Sequence, residues 1–163
     1  MNSNSPTGFE YELGGQKVWM DYLSKFVNKV DVDNYGTAYG IMGNMNSDFK
    51  VVIEAHSDEI SWFVNHIDSN GYIKVIKNGG SDAQIAPSMR VTLWGEKGPV
   101  DGIFGHPAIH IHYRKDKVDL DSIFIDIGAA NKDEVIEMGI KVGTVVTFKD
   151  GFMKLNKNYY TGR

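Results

Sequence analysis

The pattern of hydrophobic and polar residues predicts a helix and a few strands in the first third of the chain. Hydrophobic residues recur at spacings typical of an amphipathic helix, and they are Trp19, Leu23, Phe26, Val27 and Val30. Two short strands around an Asn34-Tyr35-Gly36 turn follow. Residues 50–56 then form a hydrophobic run, which predicts a strand buried on both faces.

After His56 the pattern changes to many short strands. Two strands flank a turn at residues 68–71, and a short helix is predicted from its Asn131 N-cap to Gly139 just beyond its end. Further strands are predicted at residues 90–94, 99–105, 122–128 and 141–148. We therefore expect a small β-barrel or sandwich. The predicted division is an α/β start at residues 1–60, an inserted β domain at 61–149 and a return segment at 150–163.

Composition narrows the classes of function. The 163 residues are 42% hydrophobic and 23% charged, as in ordinary globular proteins. The net charge of -4 and the lack of a basic stretch argue against a nucleic-acid partner. No cysteine is present, which excludes disulfides and thiolate metal sites. No run approaches the roughly 20 apolar residues of a membrane span, and no secretory signal is visible. We expect a cytoplasmic protein without a membrane partner.

Four groups that are costly to bury follow the hydrophobic run, namely Glu54, His56, Asp58 and Glu59. A histidine at the carboxyl end of a buried strand is well placed to bind a ligand. His56 could bind a metal through one ring nitrogen while Asp58 accepts a proton from the other. The alternative is a surface histidine beside acidic residues that cap the next turn.

A second group of histidines lies in the stretch GHPAIHIH, as His106, His110 and His112. A His-x-His pair on a strand places both side chains on one face, so an imidazole metal site is conceivable. Alternation within a half-buried hairpin explains the spacing equally well. His66 is interpreted as structural. Covalent acyl transfer lacks support because there is no Gly-x-Ser-x-Gly motif and no cysteine, and no phosphate-binding or dinucleotide motif is present.

Several motifs in order give the chain a family resemblance. VVIEAHSDEISWFVNHIDSNGYIKVIKNGGSDAQIAPSMRV contains Ala-His-Ser-Asp-Glu at 55–59, Ile-Asp with a later Gly at 67–71, Gly-Gly-Ser-Asp at 79–82 and Arg-Val at 90–91. SPTGFE, GIFGHPAIH and DSIFIDIGAANKDEVIEMGIKVGTVV match elsewhere in the correct order. Over its whole length the chain resembles the glutamyl aminopeptidase, or tetrahedral (TET) aminopeptidase, family of two-metal metallopeptidases, some of whose members are named endoglucanase or cellulase. Nothing in these residues favours sugar hydrolysis.

The resemblance implies a fold and an activity. The fold would be α/β, part of an αβα-sandwich, zinc-exopeptidase-like catalytic domain interrupted by a small PDZ-like β-barrel for dimerisation. His56 would be a ligand to one of two zinc or cobalt ions, and Asp58 the catalytic-site carboxylate that orients it. The metals would activate water to release the first residue of a peptide substrate. The inserted domain would form a homodimer, and dimers would build a dodecamer.

The chain departs from the family pattern in two ways. Ser57, Ser61-Trp62 and GHPAIH differ from the usual residues, which indicates a divergent branch. The family's bridging aspartate and later ligands would follow Gly162-Arg163, so this chain would hold one ligand of about five. We therefore expect the N-terminal half of the enzyme, inactive by itself. The alternatives are a non-catalytic, self-associating β-domain protein and a module that binds metal through His106, His110 and His112.

Overall fold

The computed structural model describes residues 2–108, 110, 117–149 and 151–162. The chain forms two compact units, which meet in sequence between Glu59 and Ile60. Within the described ranges, no helix combines the length and the apolar character needed to cross a membrane.

The first unit contains one helix and one hairpin. Helix α1 is Gly15–Leu23, and strands β1 (Lys29–Val32) and β2 (Ala38–Ile41) pair antiparallel. The side chain of Asp33 accepts hydrogen bonds from the backbone N–H groups of Tyr35 (2.8 Å) and Thr37 (2.9 Å). These bonds fix the turn between the strands, because an aspartate can cap a turn with its own side chain. The predicted hairpin is confirmed.

The prediction for the helix is wrong at its C-terminal end. The hydrophobic pattern extended it to Val30, but α1 ends at Leu23 and Val30 lies in β1, paired with Gly40. Backbone hydrogen bonding to a neighbouring strand has taken these residues out of the helix. Trp19 and Phe26, predicted on the buried face, are 44% and 60% exposed.

The buried strand predicted at residues 50–56 is also not present. These residues have no assigned secondary structure, and Val51, Val52 and Ile53 are 72%, 86% and 95% exposed. A strand needs a neighbour to satisfy its backbone N–H and C=O groups. In the described part of the chain no strand pairs with this segment, so its β-forming sequence stays outside any sheet.

The second unit is built on a closed six-stranded barrel, which confirms the predicted β-rich region. The strands follow one another around the barrel in the order β3-β4-β7-β6-β5-β8. All pairs are antiparallel, and β8 pairs with both β5 and β3 to close the sheet. The strands are β3 (Ser61–Ile67), β4 (Ile73–Asn78), β5 (Arg90–Gly95), β6 (Gly98–Gly105), β7 (Phe124–Asp126) and β8 (Val145–Phe148).

The barrel interior is a continuous hydrophobic core. An aromatic group at its centre comprises Trp62, Phe104 and Phe148, with ring centroids 5.2 to 6.2 Å apart. Aliphatic side chains surround these rings, including the fully buried Leu93 and Ile125. Buried residues alternate along β4 and β5, as expected for a small barrel filled by side chains, whereas all four residues of β8 are buried.

Turns and a short helix connect the barrel strands as predicted. Asp68 accepts hydrogen bonds from the backbone N–H groups of Asn70 and Tyr72, both at 2.9 Å, at the β3–β4 turn. Gly71 has φ +85°, and a Cβ there would lie 2.7 Å from the Ala129 carbonyl oxygen, so only glycine fits. Helix α2 (Lys132–Glu137) is capped by Asn131, whose side chain accepts from the Glu134 N–H at 3.0 Å.

A last hairpin follows the barrel. Strands β9 (Met153–Asn156) and β10 (Tyr159–Thr161) pair antiparallel with a register shift between Tyr159 and Tyr160. The Phe152 and Tyr160 rings stack at 5.0 Å, but every residue of both strands is exposed. A two-stranded hairpin with no covered face is marginal in water.

Because the barrel core is closed, a cavity there should be costly. We expect Leu93→Ala to destabilise the second unit by about 2 to 5 kcal/mol. Ile85→Ala removes the same number of carbons from a side chain that is 57% exposed, and it should cost only about 0.5 kcal/mol. Urea unfolding followed by tryptophan fluorescence, to which the buried Trp62 contributes, measures both. Equal losses would contradict a closed core.

Candidate functional site

The two predicted site residues lie together in the first unit, directly after the exposed hydrophobic run. The His56 Nδ1 atom is 3.0 Å from Oδ1 of Asp58 and 3.1 Å from the Asp58 backbone carbonyl oxygen. The His56 side chain is 84% exposed and that of Asp58 is 34% exposed. The sequence prediction that Asp58 contacts one ring nitrogen of His56 therefore describes the geometry found.

The contacts of His56 indicate which of its ring nitrogens carries the hydrogen. A carboxylate oxygen and a carbonyl oxygen can only accept hydrogen bonds. The Nδ1 atom must therefore carry the hydrogen, and in the neutral ring the lone pair lies on Nε2. An imidazole held in this way by a carboxylate is typical of histidines that bind metal ions.

The second oxygen of Asp58 is also used. Oδ2 accepts a hydrogen bond from the Thr7 hydroxyl at 2.6 Å. This bond is the main reason that the pKa of Asp58 lies below its ordinary value; partial burial opposes the shift and the bond from His56 reinforces it. A carboxylate that accepts from two donors is stabilised in its charged form. Asp58 is thus an anion fixed between Thr7 and His56.

The N-terminal segment reaches this site through backbone pairing. Pro6 and Glu59 form a parallel bridge, in which Glu59 N–H donates to the Ser5 carbonyl at 2.7 Å and Thr7 N–H donates to the Glu59 carbonyl at 3.2 Å. The Glu59 side chain accepts from the Ser5 N–H at 2.8 Å. No role for Thr7 was predicted from the sequence. The sequence feature that could have pointed to Thr7 is its position in SPTGFE, a motif that matches the family.

The donor set fits one ligand of a metal centre. His56 presents a nitrogen donor whose other ring nitrogen is held by Asp58, while Glu54 is exposed. A structural or catalytic zinc ion needs at least three protein ligands. No three histidine or acidic side chains of the described ranges are grouped closely enough to hold a metal ion. By itself, this segment therefore offers one imidazole donor, fewer than the three protein ligands that a zinc ion needs.

The remaining histidines do not form a comparable arrangement where they can be described. His66 is exposed on β3 and pairs with Lys74. The Nδ1 atom of His106 lies 3.0 Å from the Pro107 carbonyl oxygen, and His110 is exposed. His112 lies outside the described residues. The histidine metal module thus gains no support from the described part of the chain.

A recess of about 500 Å³ lies on the barrel, lined by Arg90, Asp101, Gly102 and Lys149. Lys149 and Asp101 form an ion pair within it. Because the charges of Lys149 and Asp101 neutralise each other, the recess is a weaker candidate for a ligand-binding site than the His56 segment.

Comparison with known proteins identifies relatives over nearly the whole chain. A lysyl aminopeptidase from Pyrococcus furiosus is 32% identical over 98% of this chain and 46% of its own length. The crystal structure of a TET aminopeptidase from a marine-sediment archaeon of the Thaumarchaeota is 29% identical, with a TM-score of 0.86 over 95% of this chain and 43% of the other. The α/β fold with its barrel is therefore shared with TET aminopeptidases.

A third relative is the TET1 peptidase of Pyrococcus horikoshii, described as assembling into a tetrahedron or a large octahedral shell. It is 27% identical, with a TM-score of 0.75 over 86% of this chain and 42% of its own. The chain thus spans about half the length of the relatives it matches. Residues 36–163 match the family model described as M42 glutamyl aminopeptidase. This chain belongs to the M42 glutamyl aminopeptidase family.

Proposed function

We propose that these residues form the N-terminal part of a metal-dependent aminopeptidase that releases N-terminal residues from short peptides. The observation that carries the proposal is the His56–Asp58 pair. Its hydrogen bond fixes the ring hydrogen on Nδ1 and leaves Nε2 as the donor. The pair lies in a chain that belongs to an aminopeptidase family.

In this proposal His56 is a ligand to one of two divalent ions, zinc or cobalt. When bound, such a pair of ions supplies an activated water and a positive charge for anchoring the substrate. Asp58 holds the proton on Nδ1 of His56 and thereby orients the ring. The other ligands would come from residues outside this sequence, since the relatives are about twice as long. The 163-residue chain by itself would then be inactive. A cytoplasmic location stays a prediction.

The exposed run before the site supports an incomplete catalytic domain. Val51, Val52 and Ile53 are far more exposed than is usual for consecutive aliphatic residues. The first unit also contributes no side chain to the buried hydrophobic core described above. We propose that further strands of a longer polypeptide pair with this run and cover it.

We further propose that the barrel is the PDZ-like dimerisation domain, and that dimers build a larger shell such as a dodecamer. Support comes from partly exposed aliphatic side chains on the barrel unit, among them Ile76, Ile85 and Ile103. A closed barrel has no edge strand to extend. The partner copy must therefore pack against side chains instead of adding a strand.

Replacing the two site residues should separate their roles in a longer polypeptide that contains these residues and is loaded with zinc or cobalt. His56→Ala should abolish release of N-terminal residues from short peptides because a ligand is lost. Asp58→Asn should weaken metal retention by roughly 10 to 100-fold, because the ring loses its charged partner. Peptide cleavage and metal titration measure these effects. A His56→Ala variant with unaltered turnover and metal content would refute the assignment.

Self-association can be measured on the 163-residue chain. If the barrel dimerises, sedimentation equilibrium should give twice the 18.2 kDa chain mass. A mass of 18.2 kDa at all concentrations would contradict dimerisation through the barrel.

A non-catalytic, self-associating protein is the second candidate function, favoured by the concentration of the buried core in the barrel. It requires a stable dimer and no peptidase activity in the longer polypeptide.

A further inference from the structure

The position of Thr7 is fixed by the backbone around it. Its N–H donates to the Glu59 carbonyl, and the residues on either side of Pro6 pair with the segment that carries Asp58. Pro6 itself is buried and has a restricted φ. The threonine side chain is stiff at χ1 because it is β-branched. The hydroxyl of Thr7 is therefore presented to Asp58 from a constrained position.

The Thr7 hydroxyl donates a hydrogen bond to the Asp58 carboxylate. It lies 2.6 Å from Oδ2 of Asp58 and 3.3 Å from the Glu59 carbonyl oxygen. Its single hydrogen can serve one strong bond, and the shorter, charge-assisted one goes to the carboxylate. With Oδ2 held by Thr7, the carboxylate plane is set and Oδ1 faces Nδ1 of His56 at 3.0 Å.

We propose that Thr7 is a positioning residue, whose hydroxyl fixes the Asp58 carboxylate and through it the Nδ1–H tautomer of His56. The Asp58 carboxylate accepts one hydrogen bond from the Thr7 hydroxyl and one from Nδ1–H of His56. Nε2 of His56 is then left to bind a metal ion. The tautomer claim stands on the described geometry alone. The consequence for metal binding rests on the proposed function.

The Asp58 side chain is one-third exposed, so it has room to rotate once the hydroxyl is removed. Rotation would turn Oδ1 away from the ring and leave the Asp58 backbone carbonyl oxygen, 3.1 Å from Nδ1, as the remaining acceptor. The share of the Nδ1–H tautomer should then fall and that of the Nε2–H tautomer should rise. A merely structural threonine, which only holds the N-terminal segment by its backbone, would leave the tautomer unchanged when the hydroxyl alone is removed.

Four variants separate these two roles. Thr7→Val keeps the shape and the χ1 restriction but removes the hydroxyl, whereas Thr7→Ser restores it. Thr37→Val is the matched control, because it makes the same change at an exposed position in the β1–β2 turn of the same unit. Thr7→Ala provides a second test of hydroxyl loss if Thr7→Val fails to fold.

The readout is the long-range proton–nitrogen correlation spectrum of the histidine rings in the 18.2 kDa chain, recorded where the imidazoles are neutral. His56→Ala identifies the His56 signals. We expect the Nδ1–H tautomer in the parent chain, Thr7→Ser and Thr37→Val. Thr7→Val and Thr7→Ala should show a larger share of the Nε2–H tautomer than the parent chain does. A parent chain that is mainly Nε2–H, or hydroxyl-free variants with the parent's share of Nδ1–H, would overturn the proposal.

Zinc titration of the longer polypeptide then tests the consequence for the metal. Thr7→Val should weaken zinc binding by up to about 10-fold, at or below the lower end of the range for losing a direct carboxylate partner. If the tautomer changes but zinc affinity does not, the positioning role stands and the assignment of His56 as a ligand fails. The two claims are therefore distinguishable.

Discussion

Closure of the barrel by the pairing of β3 with β8 is the constraint on which most of the ordered structure depends. Trp62 opposite Val146 and Phe63 opposite Val145 join the two ends of the sheet. The described strands of the barrel therefore leave no open edge, and the aromatic centre is sealed from water. All side chains of the described hydrophobic core belong to this unit, so its stability comes from burial that the chain completes by itself.

The unit that contains His56 is stabilised by hydrogen bonds, without a share of this core. Its elements are fixed by turn-capping side chains and by the short pairing between the N-terminal segment and Glu59. Hydrogen bonds of this kind contribute only about 0.5 to 1.5 kcal/mol each. They define where His56, Asp58 and Thr7 lie but provide little burial. This limited burial agrees with the proposal that further strands of a longer polypeptide cover the exposed run at residues 51–53.

The sequence predicted the parts of the fold that local chemistry determines. The Asp68 turn, the Asn131 cap and the alternating barrel strands depend on neighbouring residues or on period-two burial. The end of α1 and the conformation of residues 50–56 depend on which strand is available as a pairing partner. The sequence of one segment does not contain that information. The contact between His56 and Asp58 was predicted from their spacing of two. Thr7 is 51 residues from Asp58 and becomes its neighbour only in the folded chain.

The most direct test of a metal-binding His56 is zinc K-edge X-ray absorption on the longer polypeptide, compared with its His56→Ala variant. We expect imidazole scattering with nitrogen at about 2.0 to 2.1 Å from the ion. This scattering should be weaker in the variant by the contribution of one imidazole ring. Identical spectra from the two proteins at equal zinc content would show that His56 is not a ligand, and the proposed role of the His56–Asp58 pair would be wrong.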